Sequence, residues 1–241
     1  MRCLIPLALT ILPTLAPACE LALVLAVDVS GSVDPQEYGV QMQGLALALN
    51  DDVVASALVD QRAQLKLFQW LGSSRQVQSL PWTQMSSYAD VAAFSQAITD
   101  APRRWRNFST ALGEAVQVSA ASFDAVPECY RRVIDVSGDG ISNEGIVPIK
   151  MRNLLTQQGI VVNALAIETD DADLTGYFYE NLIWGEGAFV ITANGFVDYP
   201  AQIRRKLQRE TTKQLSRLPQ EPDDKAIFVI TQKTSVITKA E

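Results

Sequence analysis

Residues 21–28, Leu-Ala-Leu-Val-Leu-Ala-Val-Asp, constrain the fold of this chain more than any other stretch. Seven consecutive apolar residues that run into an aspartate and a turn read as a strand buried on both faces. Such strands belong to parallel sheets covered by helices on either side. Sheets of that kind gather their ligand-binding groups beyond the carboxyl ends of the strands. Here that end delivers Asp28, Ser30 and Ser32, three hard oxygen donors within five residues, the donor type that magnesium and calcium take. Asp34-Pro35-Gln36-Glu37 then begins a helix, with an N-cap, a proline at the first helical position and a glutamate able to complete a capping box. Asp34 is accordingly read as a cap and not as a ligand.

The rest of the chain keeps alternating between strand and helix. A helix is expected over 35–49, with Tyr38, Met42, Leu45 and Leu49 at helical spacing, and a short helical piece over 52–58. Residues 64–71 alternate polar and apolar as a strand, and 76–80 form a third strand closed by Pro81. An amphipathic helix over 87–101 precedes a loop, and another helix starts at Thr110. Residues 131–137 are the next strand, broken by Gly138-Asp139-Gly140. A helix over 147–158 ends at Gly159 and leads to an apolar strand over 160–167. Acidic residues follow, then a helix through Asn181, a last short strand over 188–191 and a closing helix over 196–210. Repeated βαβ units predict a mainly parallel sheet with helices on both faces. Asp135 is expected to be a structural residue inside its strand, and Asp170, Asp171 and Asp173 to cap a helix or face solvent. Residues 211–224 read as a linker and 226–236 as a β-prone extension.

Composition narrows the function. Residues 1–18 have the form of a secretory signal: Arg2, an apolar run from Leu4 to Leu15, and Ala16-Pro17-Ala18 before the expected cleavage point. The alternatives are an N-terminal anchor, for which the run is short, and lipidation at Cys19, which Pro17 disfavours. A periplasmic or secreted protein of about 220 residues results, enough for one sizeable α/β domain and with no later membrane span. Loss of Arg2 leaves 19 basic against 27 acidic side chains, which argues against nucleic acid or anionic membrane surfaces as partners. Histidine is absent from the sequence, so Ser-His-Asp and Cys-His catalysis and histidine-ligated zinc are excluded.

Two more oxygen-bearing residues fall at strand ends or helix starts: Thr110 in Phe-Ser-Thr-Ala-Leu-Gly and Asp139 in Val-Ser-Gly-Asp-Gly. Together with Asp28-Val-Ser30-Gly-Ser32 they resemble the metal-ion-dependent adhesion site (MIDAS) of von Willebrand factor A domains, in order and spacing, over about residues 20–210. More narrowly, Leu-Ala-Val-Asp-Val-Ser-Gly-Ser-Val-Asp and Arg-Arg-Val-Ile-Asp-Val-Ser-Gly-Asp-Gly are similar to an exported bacterial family of von Willebrand A-like domains of unknown function. The resemblance implies a doubly wound, Rossmann-like sheet of order 3-2-1-4-5-6. It also implies direct metal contacts from Ser30, Ser32 and Thr110, with Asp28 and Asp139 acting partly through water. Such donors suit Mg²⁺, or Mn²⁺ equally, better than calcium, which recruits more ligands. The implied strand order sets the Asp28 and Asp139 strands side by side. Counting back along them brings Cys19 and Cys129 level, so a disulfide is expected there, with two free thiols as the alternative.

The expected function is an exported binding module, not an enzyme, whose Mg²⁺ captures an exposed Asp or Glu carboxylate of a protein ligand. The rival is a metal-dependent phosphoester hydrolase with Asp28 as nucleophile. That chemistry wants an acid two residues on, where Ser30 stands, and a neighbouring lysine or histidine. A third reading is a structural domain with a vestigial site.

Overall fold

The computed structural model describes residues 19–105, 109–169 and 173–212. The signal-like residues 1–18, the 213–241 part of the expected linker and extension, and Asp170 and Asp171 lie outside the described residues. Strands β1 (Leu21–Asp28), β2 (Gln64–Trp70), β3 (Gln76–Gln84), β4 (Arg131–Gly138), β5 (Ile160–Glu168) and β6 (Val190–Asn194) form one sheet of order β3-β2-β1-β4-β5-β6. All neighbours are parallel except β2 and β3. The doubly wound order expected from the resemblance is the observed one.

β1 is central, and all eight of its residues are buried. The period-two alternation of a strand splits them between two cores. Leu21, Leu23, Leu25 and Val27 face α1 (Pro35–Leu49), α2 (Asp52–Asp60), α3 (Tyr88–Asp100) and α7 (Tyr199–Thr211). Ala22, Val24 and Ala26 face α4 (Leu112–Ala121), α5 (Arg152–Gln158) and α6 (Leu174–Asn181). Each leucine so buried contributes roughly 1.5–3 kcal/mol.

The caps explain where the helices start. Asp34 accepts from Gln36 N–H and Glu37 N–H, and Glu37 accepts in return from Asp34 N–H at 2.7 Å, completing the expected capping box. Asp173 caps α6 through Gly176 N–H. Among the described residues, no single helix is long and apolar enough to cross a membrane.

Several boundaries depart from the expectations: α5 begins at Arg152 after a 3₁₀ turn over Pro148–Met151, β6 is Val190–Asn194 instead of 188–191, and α2 runs on to Asp60. β3 does not stop at Pro81 but continues to Gln84, because it is an antiparallel edge strand whose ladder slips past that region and resumes at Thr83. An edge tolerates a residue without an N–H donor. α4 starts at Leu112, leaving Thr110 in the preceding loop. α7 runs from Tyr199 through Thr211, so the helix takes the first residue of the expected linker.

The register of β1 on β4 pairs Leu21 with Arg131 and continues without a slip to Val27 and Ser137. Extended backwards, the same offset of 110 residues pairs Cys19 with Cys129, which form a disulfide with Cα atoms 4.5 Å apart. Extended forwards, it leads Asp28 and Gly138 to the rim as neighbours.

Asp135 is confirmed as structural, in a form not expected. Its carboxylate lies 2.5 Å from Lys206 Nζ of α7, and Lys206 also pairs with Glu210 at 3.3 Å. Lys206 is fully buried. Asn163 Nδ2 donates to Glu210 Oε1, and Arg131 donates to the Glu210 carbonyl. Burial and the neighbouring Glu210 push the Asp135 carboxyl well above the usual carboxylate range.

Candidate metal centre

Three segments meet at the carboxyl rim of β1 and β4: the loop after β1, the segment entering α4, and the turn after β4. Asp28, the last residue of β1, is fully buried, and Ser30, Thr110 and Asp139 are nearly so, whereas Ser32 is exposed. The β1 loop folds back on its own aspartate, since Ser30 N–H donates to Asp28 Oδ1 at 2.7 Å. The Ser30 and Ser32 hydroxyl oxygens lie 3.2 Å apart, and Ser32 Oγ donates to Asp139 Oδ1 at 2.7 Å. That last bond joins two loops 107 residues apart in sequence. Thr110 lines the same place: its Oγ1 would be 3.7 Å from a Cβ added to Gly140. All five residues singled out from the sequence therefore come to one rim.

The electrostatics of this cluster are unfavourable as it stands. Asp28 Oδ2 is buried and has no hydrogen-bond partner. Burial, reinforced by the charge of Asp139, pushes the Asp28 carboxyl up to about 8, against weaker opposing effects of Ser30 and Arg103. Two adjoining carboxylates in a low-dielectric site raise each other's cost of ionisation, and a cation removes that cost. Gly138 permits the close approach, since a Cβ there would lie 3.0 Å from Asp28 Oδ2.

Three hydroxyls and two carboxylates are hard oxygen donors, the type that divalent cations such as magnesium, manganese and calcium take. Among the described residues, no group of three or more His, Cys, Asp or Glu side chains is placed to hold a metal. A cation here would depend on the serine and threonine hydroxyls.

Sequence reasoning did not find the residues that hold this rim in shape. Arg103 donates to the carbonyls of Val29 at 3.0 Å and Ser30 at 2.8 Å, clamping the β1 loop from the segment after α3. Gln41 Nε2 reaches the Asp28 carbonyl at 3.4 Å. Gln69 bonds Tyr38 Oη and the Pro102 carbonyl, and accepts from Arg104 N–H, which fixes the segment carrying Arg103. On the other side, Glu144 accepts from Ser73 and Ser109, and these hydroxyls hold its carboxyl below the usual range. None of these residues carries a motif; only an arginine and a glutamate in otherwise polar loops hinted at them.

A family profile described as "Protein of unknown function (DUF1194)" matches residues 18–215. No curated protein matches the sequence. Solved structures do resemble the fold. Proximal thread matrix protein 1 from the mussel byssus superposes with a TM-score of 0.60 at 19% identity, covering 79% of this chain and 47% of that one. The open form of the pilus adhesin SpaC from Lactobacillus rhamnosus GG gives 0.60 at 13% identity, over 80% of this chain and 30% of that one. A von Willebrand factor type A protein from Catenulispora acidiphila gives 0.56 at 17% identity, over 80% and 42%. The chain thus spans less than half the length of each of these structures. At such identities they establish the von Willebrand A fold and no more. Another structure of the mussel protein has its MIDAS motif occupied by zinc, at 18% identity and a TM-score of 0.58.

Proposed function

This chain belongs to the DUF1194 family of proteins of unknown function, and from that premise we propose an exported binding module that holds one divalent cation and uses it to capture a partner's carboxylate. Mg²⁺ is the first occupant and Mn²⁺ the alternative. The observation that carries this reading is Asp28: a fully buried carboxylate with one oxygen unpartnered, facing a second carboxylate, beside three hydroxyls. A buried polar atom left without a partner costs about 1–3 kcal/mol, more for a charge, and a bound cation offsets that cost.

Ser30, Ser32 and Thr110 would hold the ion directly, and Asp28 and Asp139 partly through water. The ion would supply a Lewis-acidic position at the rim. Hydroxyl ligands carry no charge, so the ion keeps enough positive character for an Asp or Glu of a protein ligand to complete its shell. The cation-bearing MIDAS of the mussel protein supports the same use of this rim on a shared fold. Export to the periplasm or beyond is supported by the signal-like residues 1–18 and by the buried Cys19–Cys129 disulfide, a bond that persists in oxidising compartments. The hydrolase reading would need an acid where Ser30 stands, and Ser30 instead holds Asp28 through its backbone N–H.

Calorimetric titration with Mg²⁺ and Mn²⁺, followed by retention of envelope proteins on the immobilised chain, tests the proposal. Binding of one ion is expected, with protein retention lost both in EDTA and in Asp28→Ala. Absence of metal binding, or retention indifferent to EDTA and to the substitution, would overturn it.

A further inference from the structure

The geometry points to Asn143 as the residue that positions Thr110, an assignment that rests on the cation-site reading above. Thr110 lies just outside α4, so helical hydrogen bonding does not set its backbone. Local capping does not set it either. The cap residue, Ala111, offers no side-chain acceptor, and Leu112 N–H donates across the rim to Ser142 Oγ at 3.3 Å.

The backbone of Thr110 is instead held from the loop after β4. Thr110 N–H donates to Asn143 Oδ1 at 2.9 Å, and Asn143 N–H donates back to the Thr110 carbonyl at 2.9 Å. A reciprocal pair fixes both the position and the rotation of a residue, as one rung of a β-ladder does. Glu144 N–H and Ser142 Oγ add bonds to the same carbonyl at 3.3 and 3.4 Å.

The loop bearing Asn143 is itself fastened. Glu144 takes the Ser73 and Ser109 hydroxyls, and Ile146 N–H donates to Glu114 Oε1 of α4 at 2.9 Å. The loop lies so close to α4 that a Cβ on Gly113 would meet the Ile146 carbonyl. Asp139 opens this loop and Asn143 follows four residues later. Two of the five candidate ligands, distant in sequence, are thereby carried on one strap. Their separation is set by a side chain that itself supplies no ligand.

Asn143 is exposed and its bond to Thr110 only part-buried, and a neutral hydrogen bond contributes about 0.5–1.5 kcal/mol to stability. Its loss should register in ligand geometry before it registers in the fold. Residues that orient metal ligands change affinity by about 10–100-fold when replaced.

The test compares Asn143→Ala, Thr110→Val and the double variant by calorimetric titration with Mn²⁺, with thermal unfolding and amide exchange measured in EDTA. Asn143→Ala is expected to bind Mn²⁺ about tenfold more weakly, to melt near the parent and to exchange the Thr110 amide faster. Added to Thr110→Val, it should cost nothing further, because the hydroxyl it positions is already gone. Asn143→Asp keeps the acceptor and should bind Mn²⁺ at least as well as the parent. Unchanged affinity in Asn143→Ala, or losses that add in the double variant, would overturn the positioning role while the parent's Mn²⁺ binding keeps the cation site standing. A parent that binds no Mn²⁺ overturns both.

Discussion

Replacing Asp28 by asparagine should stabilise the metal-free protein while abolishing its cation binding. Asparagine has the same shape, and its carbonyl oxygen can keep the bond from Ser30 N–H. It differs in never ionising. In the metal-free protein the Asp28 carboxyl titrates near about 8, against 3.8 as its ordinary value. The native state therefore holds a proton that the unfolded chain has already released. Stability from this group is fully present below the unfolded value and is lost progressively as pH rises through the folded one. Each pKa unit corresponds to about 1.36 kcal/mol, so by pH 7 the accumulated loss is about 4 kcal/mol. The asparagine variant escapes it, less the roughly 1–3 kcal/mol for a buried amide N–H₂ without an acceptor. Denaturant unfolding in EDTA should show the variant behind by about 1–3 kcal/mol near pH 4 and ahead by about 1–3 kcal/mol at pH 7. Saturating Mg²⁺ should reverse the order, because only the parent gains from the ion. A variant less stable than the parent at pH 7 in EDTA, or a difference flat in pH, would refute the argument that this carboxylate is held at a cost.

The same titration predicts proton-linked metal binding: Mn²⁺ affinity should weaken about tenfold for each pH unit below about 8 and level off above it, as followed by calorimetry across pH 6–9. Lys206→Met would leave Asp135 and Glu210 buried without their cation and should cost about 3–5 kcal/mol in chemical denaturation, recovered in part by adding Asp135→Asn. Cys129→Ser opens a loop with a sequence separation of 110 residues and should lower stability by up to about 4–5 kcal/mol in the loop-entropy account, read from oxidised parent and variant side by side. Arg103→Gln should weaken Mg²⁺ binding more than it lowers the melting temperature, because its two bonds hold the loop carrying Ser30.

Much of the fold was legible because it is written in local patterns. An apolar run ending in aspartate reads as a buried strand, and Asp34 with Pro35 and Glu37 as a helix start, and both form. Strand ends in a parallel sheet converge on one rim, and the resemblance to von Willebrand A domains groups Asp28, Ser30, Ser32, Thr110 and Asp139 there. Where local signals misled, a tertiary neighbour had overridden them. Pro81 ends a strand in isolation, yet an edge position lets β3 continue past it. Thr110 looks like a helix start, yet Ser142 and Asn143 from another loop take over the helix end and its backbone.

The sequence by itself determined the strands and helices, and its resemblance to von Willebrand A domains supplied the strand order that groups the rim residues and brings the two cysteines level. Only the tertiary structure decided which charges are matched. Lys206 falls on the α7 face that carries Tyr199, Ile203 and Leu207, and proves to be fully buried between two carboxylates. Asp28 and Asp135 are both buried strand aspartates; one faces a second aspartate, the other a lysine. A residue's propensity and period belong to its own segment and can be read there. Desolvation and pairing depend on what distant segments bring alongside, and that exists only once the chain has folded.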